Sequence, residues 1–193
     1  MRIALFGGSF DPVHDAHLAL ASVALEHLAL DRLLWVPVGD AWQKERPLAP
    51  ARHRAAMVSL AIAAEPRCVL ETIEVERAGP SYTIDTVREL QAREPHAQWW
   101  LVLGQDQYAN LHTWRDWRDL ARRVVFAVAG RAGDEPRAGT ELAPHRHQMV
   151  TLALPPMNVS STEIRRRIAH GERIDDMVPP AVARYIDLHH LYR

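Results

Sequence analysis

The sequence predicts an α/β fold: a Rossmann-like, doubly wound, mostly parallel sheet with helices on both faces and a small C-terminal helical part. Three observations predict it. Short apolar runs alternate with amphipathic stretches along all 193 residues, as parallel sheets require because a helix fills each crossover. The first run, Arg2 to Phe6, meets Gly7-Gly8 and then a helix start, a strand–turn–helix unit. The most apolar run, Trp99 to Gly104, likewise ends on Gly104-Gln105-Asp106 ahead of a further helix.

In order, residues 2–6 read as a buried strand closed by the two glycines. Leu18, Ala21, Leu25, Leu28 and Ala29 then fall at helical spacing, one stripe facing a sheet. Asp31-Arg32 breaks that stripe, and residues 33–38 (LLWVPV) read as the second strand. Residues 39–50 are a polar loop holding Trp42, Lys44 and Arg46. Pro50 suits a first helical position, and residues 51–64 continue as a helix of strong formers that Pro66 stops. Residues 68–75 (CVLETIEV) are strand-like, 78–83 a turn, and 84–93 a helix with Val87 and Leu90 facing inward. After the strand at 99–104, a short helix around 114–123 carries Trp114, Trp117 and Leu120 three apart. Residues 124–130 are a strand, 130–147 a surface loop rich in Gly, Pro and charge, and 149–155 the last strand. Residues 160–171 form a helix, and Pro179-Pro180 opens a final one. There is no internal repeat, so residues 1–193 read as a single domain, with the C-terminal helical part at about 160–193.

Composition narrows the function. Apolar residues make up 48% and charged residues 24% of the chain, the balance of a soluble globular protein. A net charge of −1 supplies no basic field, which argues against a nucleic-acid partner. No stretch approaches the ~18 apolar residues of a membrane span, and the run at 2–6 is too short for a signal peptide. The single cysteine, Cys68, excludes an intrachain disulfide and reads as a buried core thiol. The cytoplasm is the default compartment, and self-association into a homo-oligomer stays open.

Ligands of such sheets bind outside the carboxyl ends of the strands, which directs attention to loops 7–17, 38–50, 104–114 and 155–165. Gly7-Gly8-Ser9-Phe10 is either a turn whose backbone approaches an anion or a strand-to-helix turn that needs glycine torsions. It is neither the dinucleotide fingerprint nor a P-loop. His14 and His17, three apart, lie on one side of a helix's first turn, where each can donate to a phosphate oxygen. Satisfied structural histidines are one rival and a zinc pair another, but Asp11 and Asp15 complete no known zinc spacing, so no metal site is assigned.

Ser160 with Glu163 forms a capping box, as any helix might use. The hydroxyls of Ser160, Ser161 and Thr162 also gather at a positive helix end, with Arg165 one turn on. Arg165, Arg166 and Arg167 cannot all face one way, so one should point back to the N-terminal loop and complete a second anion site. Two such sites suggest a polyphosphate. Asp106, after Gly104, suits ribose hydroxyls or is a plain turn aspartate. Trp114 and Trp117 are core residues, or one of them stacks on a flat heterocycle. Lys44 and Arg46 are solvated, or one swings onto a phosphate.

These motifs carry a resemblance. GGSFDPVHDAH resembles the nucleotidyltransferase signature, and VSSTEIRRRI its partner motif in the same superfamily. Between them, GPSYTIDTVREL and LGQDQYANLHTWRDW are similar to bacterial nicotinate-mononucleotide adenylyltransferase. The likeness runs from Met1 to about Leu191, and the two middle motifs select this family over phosphopantetheine adenylyltransferase or a cytidylyltransferase. It implies that ATP meets Gly7, Gly8, Ser9, Phe10 and Lys44, with His14, His17 and Ser9 on its phosphates. Ser160, Ser161, Thr162 and Arg165 would hold the β/γ end, His14, His17 and Arg165 being the catalytic set. Gly104 and Asp106 would meet ribose. Tyr82 and Thr83 would line the nicotinate pocket, with Trp114 stacked on the pyridine ring.

The implied reaction is adenylyl transfer from ATP to nicotinate mononucleotide, giving deamido-NAD and pyrophosphate, with Mg²⁺ carried on the ATP. The sequence departs from the family at Ala16, where glycine is common, and at Ala41-Trp42-Gln43-Lys44, where a Pro-Pro-His type of sequence is common. The alternatives are phosphopantetheine as acceptor or a non-catalytic nucleotide-binding module. An RNA-binding domain is disfavoured by the charge balance.

Overall fold

The computed structural model describes residues 1–40, 47–130 and 135–193. Six strands form one sheet: β1 (Arg2–Gly8), β2 (Arg32–Pro37), β3 (Cys68–Leu70), β4 (Gln98–Gly104), β5 (Val125–Ala129) and β6 (Met149–Leu152). All pair in parallel, in the order β3-β2-β1-β4-β5-β6. The order reverses between β1 and β4, and there the crossovers leave a crevice at the carboxyl ends.

Alternation along the strands builds two cores. Ala4, Phe6, Leu33, Trp35, Trp100 and Val102 face one way. On that side lie α1 (Asp15–His27), α2 (Ala51–Ile62), α7 (Ser161–Ala169) and α8 (Pro180–Leu188). Ile3, Leu5, Leu34, Val36, Leu101 and Leu103 face the other. There they meet α4 (Thr83–Arg93) and α6 (Trp117–Arg123), with Val87, Leu90, Trp117 and Leu120 buried against them. The single-turn helices α3 (Ile73–Glu76) and α5 (Gln105–Ala109) and a 3-10 turn at Leu111–Thr113 complete the described set. No helix among the described residues is long and apolar enough to cross a membrane.

Several elements differ from the sequence expectation. β1 does not stop at Phe6: Gly7 pairs with Val36 and Gly8 with Pro37, so both glycines belong to the strand. Neither has a positive φ, and the left-handed residue of the turn is Phe10, at φ 45°. The glycine at position 8 answers a packing demand instead. A Cβ there would lie 2.9 Å from Phe10 Cζ, and the Phe10 ring is wedged against Phe6, Trp35 and His17. At Gly7 the nearest atom would be 3.6 Å away.

Helix α1 begins at Asp15, ahead of Leu18, and buries Leu20 and Ala24 alongside Ala21 and Leu25, with Leu28 buried just past its end. Ala29 is exposed at φ 46°, where the chain leaves the helix. Pro50 caps α2 from outside. The expected strand 68–75 pairs only over Cys68–Leu70. From Thr72 the chain coils, closed by the Glu76 N–H donating to the Thr72 carbonyl. Cys68, on this edge strand, is half-buried rather than fully enclosed.

Candidate active site

The loops that follow β1 and β4 enclose, with the start of α4, a cavity of about 670 Å³. Gly7, Gly8 and Ser9 form one wall, beside His14 and His17. Tyr82, Thr83 and Trp114 form another, and Gly104 and Asp106 contribute from the end of β4. Ten residues expected in a site thus share one space, at the topological reversal of the sheet.

The histidines are held as a pair. His14 caps α1 in extended backbone, and its N–H donates to His17 Nδ1 at 3.2 Å. An imidazole whose Nδ1 accepts carries its proton on Nε2, so neutral His17 keeps an Nε2–H to donate. The two rings stack with centroids 3.6 Å apart and planes inclined by 23°. Burial holds His14 down to about 4, with its own backbone opposing weakly. Burial and the neighbouring His14 ring push His17 well below the usual histidine range. Both are neutral at pH 7, when they are hydrogen-bond donors without charge. The first N–H of α1, that of Asp15, donates to the Met177 carbonyl and is not offered to a ligand.

Ala16 sits in this first turn and lines the cavity. It is not among the residues with positive φ, so the backbone there accepts a Cβ.

The second expected anion site lies beside the cavity wall rather than in it. The Ser160 hydroxyl accepts from the Glu163 N–H, as a cap. The Glu163 carboxylate does not complete a capping box; it pairs with Arg166. Ser161 Oγ donates to the Pro12 carbonyl at 2.9 Å. Of the three arginines it is Arg165 that turns back, donating to the Asp11 carbonyl at 2.6 Å and to Thr162 Oγ1 at 3.1 Å. Arg166 also meets Glu172, and Arg167 meets Asp176. Phe10, expected to bind ATP, is 1% exposed and its ring belongs to the core. Lys44 lies outside the described residues, as does Arg46.

Trp114 is half-buried at the cavity, whereas Trp117 is core. Tyr82 caps α4. The segment before it is fixed to the end of β2 by the Ser81 N–H donating to the Asp40 carbonyl. Gly39 lets the same loop pack on α3, since a Cβ there would sit 1.9 Å from the Glu74 carbonyl oxygen.

Sequence reasoning passed over Arg54. Its guanidinium is 1% exposed and donates to the carbonyls of Ala49 (2.8 Å), Ser9 (2.9 Å), Val38 (2.7 Å) and Gly39 (3.3 Å). It ties the glycine turn to the loop after β2. Burial works against its charge, and nearby Asp11 supports it. Asp11, itself fully buried, accepts from the Ala49 N–H and the Tyr192 hydroxyl. One signal was available: Arg54 shares a helical stripe with Met57, Val58 and Ile62. Glu74 was also passed over. It lines the cavity, accepts from the Thr86 hydroxyl at 2.7 Å, and is pushed up by burial against the pull of Thr86 and Arg77.

Comparison with known proteins finds relatives along the whole chain. The cytidylyltransferase-like family matches residues 5–167. The "probable nicotinate-nucleotide adenylyltransferase" of Methylibium petroleiphilum is 56% identical, over 99% of this chain and 92% of that protein. Its Bordetella pertussis counterpart is 46% identical, over 100% and 98%. The chain belongs to the nicotinate-nucleotide adenylyltransferase family. The fold is shared with the nicotinic acid mononucleotide adenylyltransferase of Plasmodium falciparum, solved as a complex with NaAD. That match has a TM-score of 0.79 at 19% identity and covers 99% of this chain and 97% of the other.

Proposed function

We propose that the chain transfers the adenylyl group of ATP to nicotinate mononucleotide, forming deamido-NAD and releasing pyrophosphate, a step of NAD biosynthesis. The observation that carries this reading is the shared cavity in which the glycine end of β1 and two neutral imidazoles meet an aromatic wall. The family membership of the whole chain supports it.

In this reading the acceptor's 5′-phosphate attacks the α-phosphorus of ATP in line as the bond to pyrophosphate breaks. The attacking phosphate is already an anion at neutral pH, so no general base is needed. Catalysis is then positioning and charge stabilisation. His17 Nε2–H and the His14 ring would donate to oxygens whose charge grows in the transition state. Gly7, Gly8 and Ser9 would let the phosphates approach the backbone. Ser160, Ser161, Thr162 and Arg165 would take the outgoing pyrophosphate end, and Gly104 and Asp106 a ribose. Trp114 would stack on the pyridine ring, with Tyr82 and Thr83 beside it.

Among the described residues no group of three or more His, Cys, Asp or Glu side chains is arranged to hold a metal ion. We propose Mg²⁺ as the divalent ion, carried on the phosphates of ATP with water filling its remaining positions. We take residues 1–193 as one catalytic domain, since Ile164, Met177, Val182 and Ile186 join the same core as β1 and β2. The cytoplasm is the compartment this reading implies.

The test supplies ATP and Mg²⁺ with nicotinate mononucleotide, nicotinamide mononucleotide and phosphopantetheine in turn, and measures pyrophosphate. Release is expected with a pyridine mononucleotide. No release with either pyridine mononucleotide would overturn the assignment.

A further inference from the structure

The cavity is to receive anionic substrates, yet its described lining holds little fixed positive charge. Among the described residues that line it, Arg115 is the single arginine or lysine. Both histidines there are neutral at pH 7, and Glu74 and Asp106 add carboxyl groups.

Arg115 is placed in a particular way. It follows Trp114 directly, and its guanidinium lies over the Tyr82 ring, 4.7 Å from the centroid. Stacking on an aromatic face fixes the guanidinium plane and leaves its N–H edge free to donate. Its neighbours compete little for that edge. No described carboxylate pairs with Arg115, whereas the adjoining acids Asp116 and Asp119 both pair with Arg88. Asp119 also holds Arg122 and Arg123. Glu74 is engaged with Thr86, which Arg77 backs.

A flat ring stacked on Trp114 would lie in the cavity that the Arg115 guanidinium and Tyr82 also line, with its substituent in reach of the Arg115 edge. A planar fork of donors matches a carboxylate and not an amide, whose NH₂ would meet donors with a donor. Resting on the acceptor assignment above, we propose that Arg115 is a specificity-determining residue, selecting a mononucleotide whose pyridine ring bears a carboxylate over one bearing a carboxamide.

The test compares kcat/KM for nicotinate and nicotinamide mononucleotides in the wild type, Arg115→Gln and Arg115→Lys. Arg115 is exposed, so both variants are expected to melt with the wild type. Glutamine should lower kcat/KM for the acid about 10- to 100-fold, the weight of a charge-assisted hydrogen bond. It should leave the amide within about 2-fold, and lysine should restore part of the acid preference. An equal loss on both substrates would mean that Arg115 serves a group they share, such as the 5′-phosphate, and would overturn the proposal. So would an unchanged ratio in an active enzyme. A wild type inactive on both substrates would instead overturn the reaction itself, and the proposal with it.

Discussion

Replacing Arg54 by methionine should both loosen the molecule and damage the ATP site. The guanidinium is 1% exposed and makes three short donations, to Val38, Ala49 and Ser9, and a longer one to Gly39. Each short bond to a charged donor is worth about 1.5–3 kcal/mol, a gross loss of about 5–9 kcal/mol. Against this, methionine removes the several kcal/mol spent on burying a charge. What remains is the burden of carbonyls left without donors, about 1–3 kcal/mol each. A net loss of about 3 kcal/mol follows, equivalent to a melting temperature lower by about 6–12 °C for a chain of this size. Lysine keeps the charge but cannot span three segments, and should fall between. Because Ser9 is one of the three, KM for ATP should rise in the methionine variant at temperatures where it is fully folded. Urea denaturation, thermal melts and ATP titrations of the three proteins test this. A methionine variant that melts within 2 °C of wild type would refute the reasoning, because it would mean that those carbonyls need no donor.

Other perturbations follow from the same geometry. Gly8→Ala must displace the Phe10 ring, whose nearest carbon would be 2.9 Å away, and should cost about 1–3 kcal/mol in a denaturation series. Gly7→Ala, with 3.6 Å of room, should be stable, and equal losses at the two positions would sink the packing argument. Stability should fall as pH drops from 6.5 towards 4. His14 titrates near 4 when folded and at 6.5 when unfolded, so between those values the unfolded chain binds the extra proton. His14 alone contributes about 3 kcal/mol to that slope, and His17 adds in the same direction. A His14→Gln variant whose urea midpoint varies with pH as steeply as wild type would contradict this. Arg165→Ala should lower kcat/KM for ATP about 100-fold, the scale of one lost transition-state donor. Unchanged kinetics beside a lower melting temperature would leave Arg165 a structural tie between α7 and Asp11.

What could be read from the sequence, and what could not, divides by the range of the interaction. Helical and strand periods are local, so β1, β4, α4 and the inward faces of Val87 and Leu90 follow from spacing alone. Elements too short to show a period escape: α5 is five residues long and α3 four. The strand-like alternation at 68–75 breaks off because β3 pairs only through Leu70. Glycines mislead for a related reason. Torsion is the usual explanation for a double glycine, but here the constraint at Gly8 is a side chain two residues on, and the left-handed turn residue is Phe10 itself. The three consecutive arginines show where the boundary falls. Successive residues step about 100° around a helix, so that one should face the N-terminal loop is a deduction from sequence. That Arg165 meets the Asp11 carbonyl 154 residues away is not, because a main-chain oxygen has no letter in the sequence. Arg54 is the extreme case: all its acceptors are carbonyls. The turn that is to hold phosphate is therefore shaped by groups that no motif names, which is why its residues were legible and its support was not.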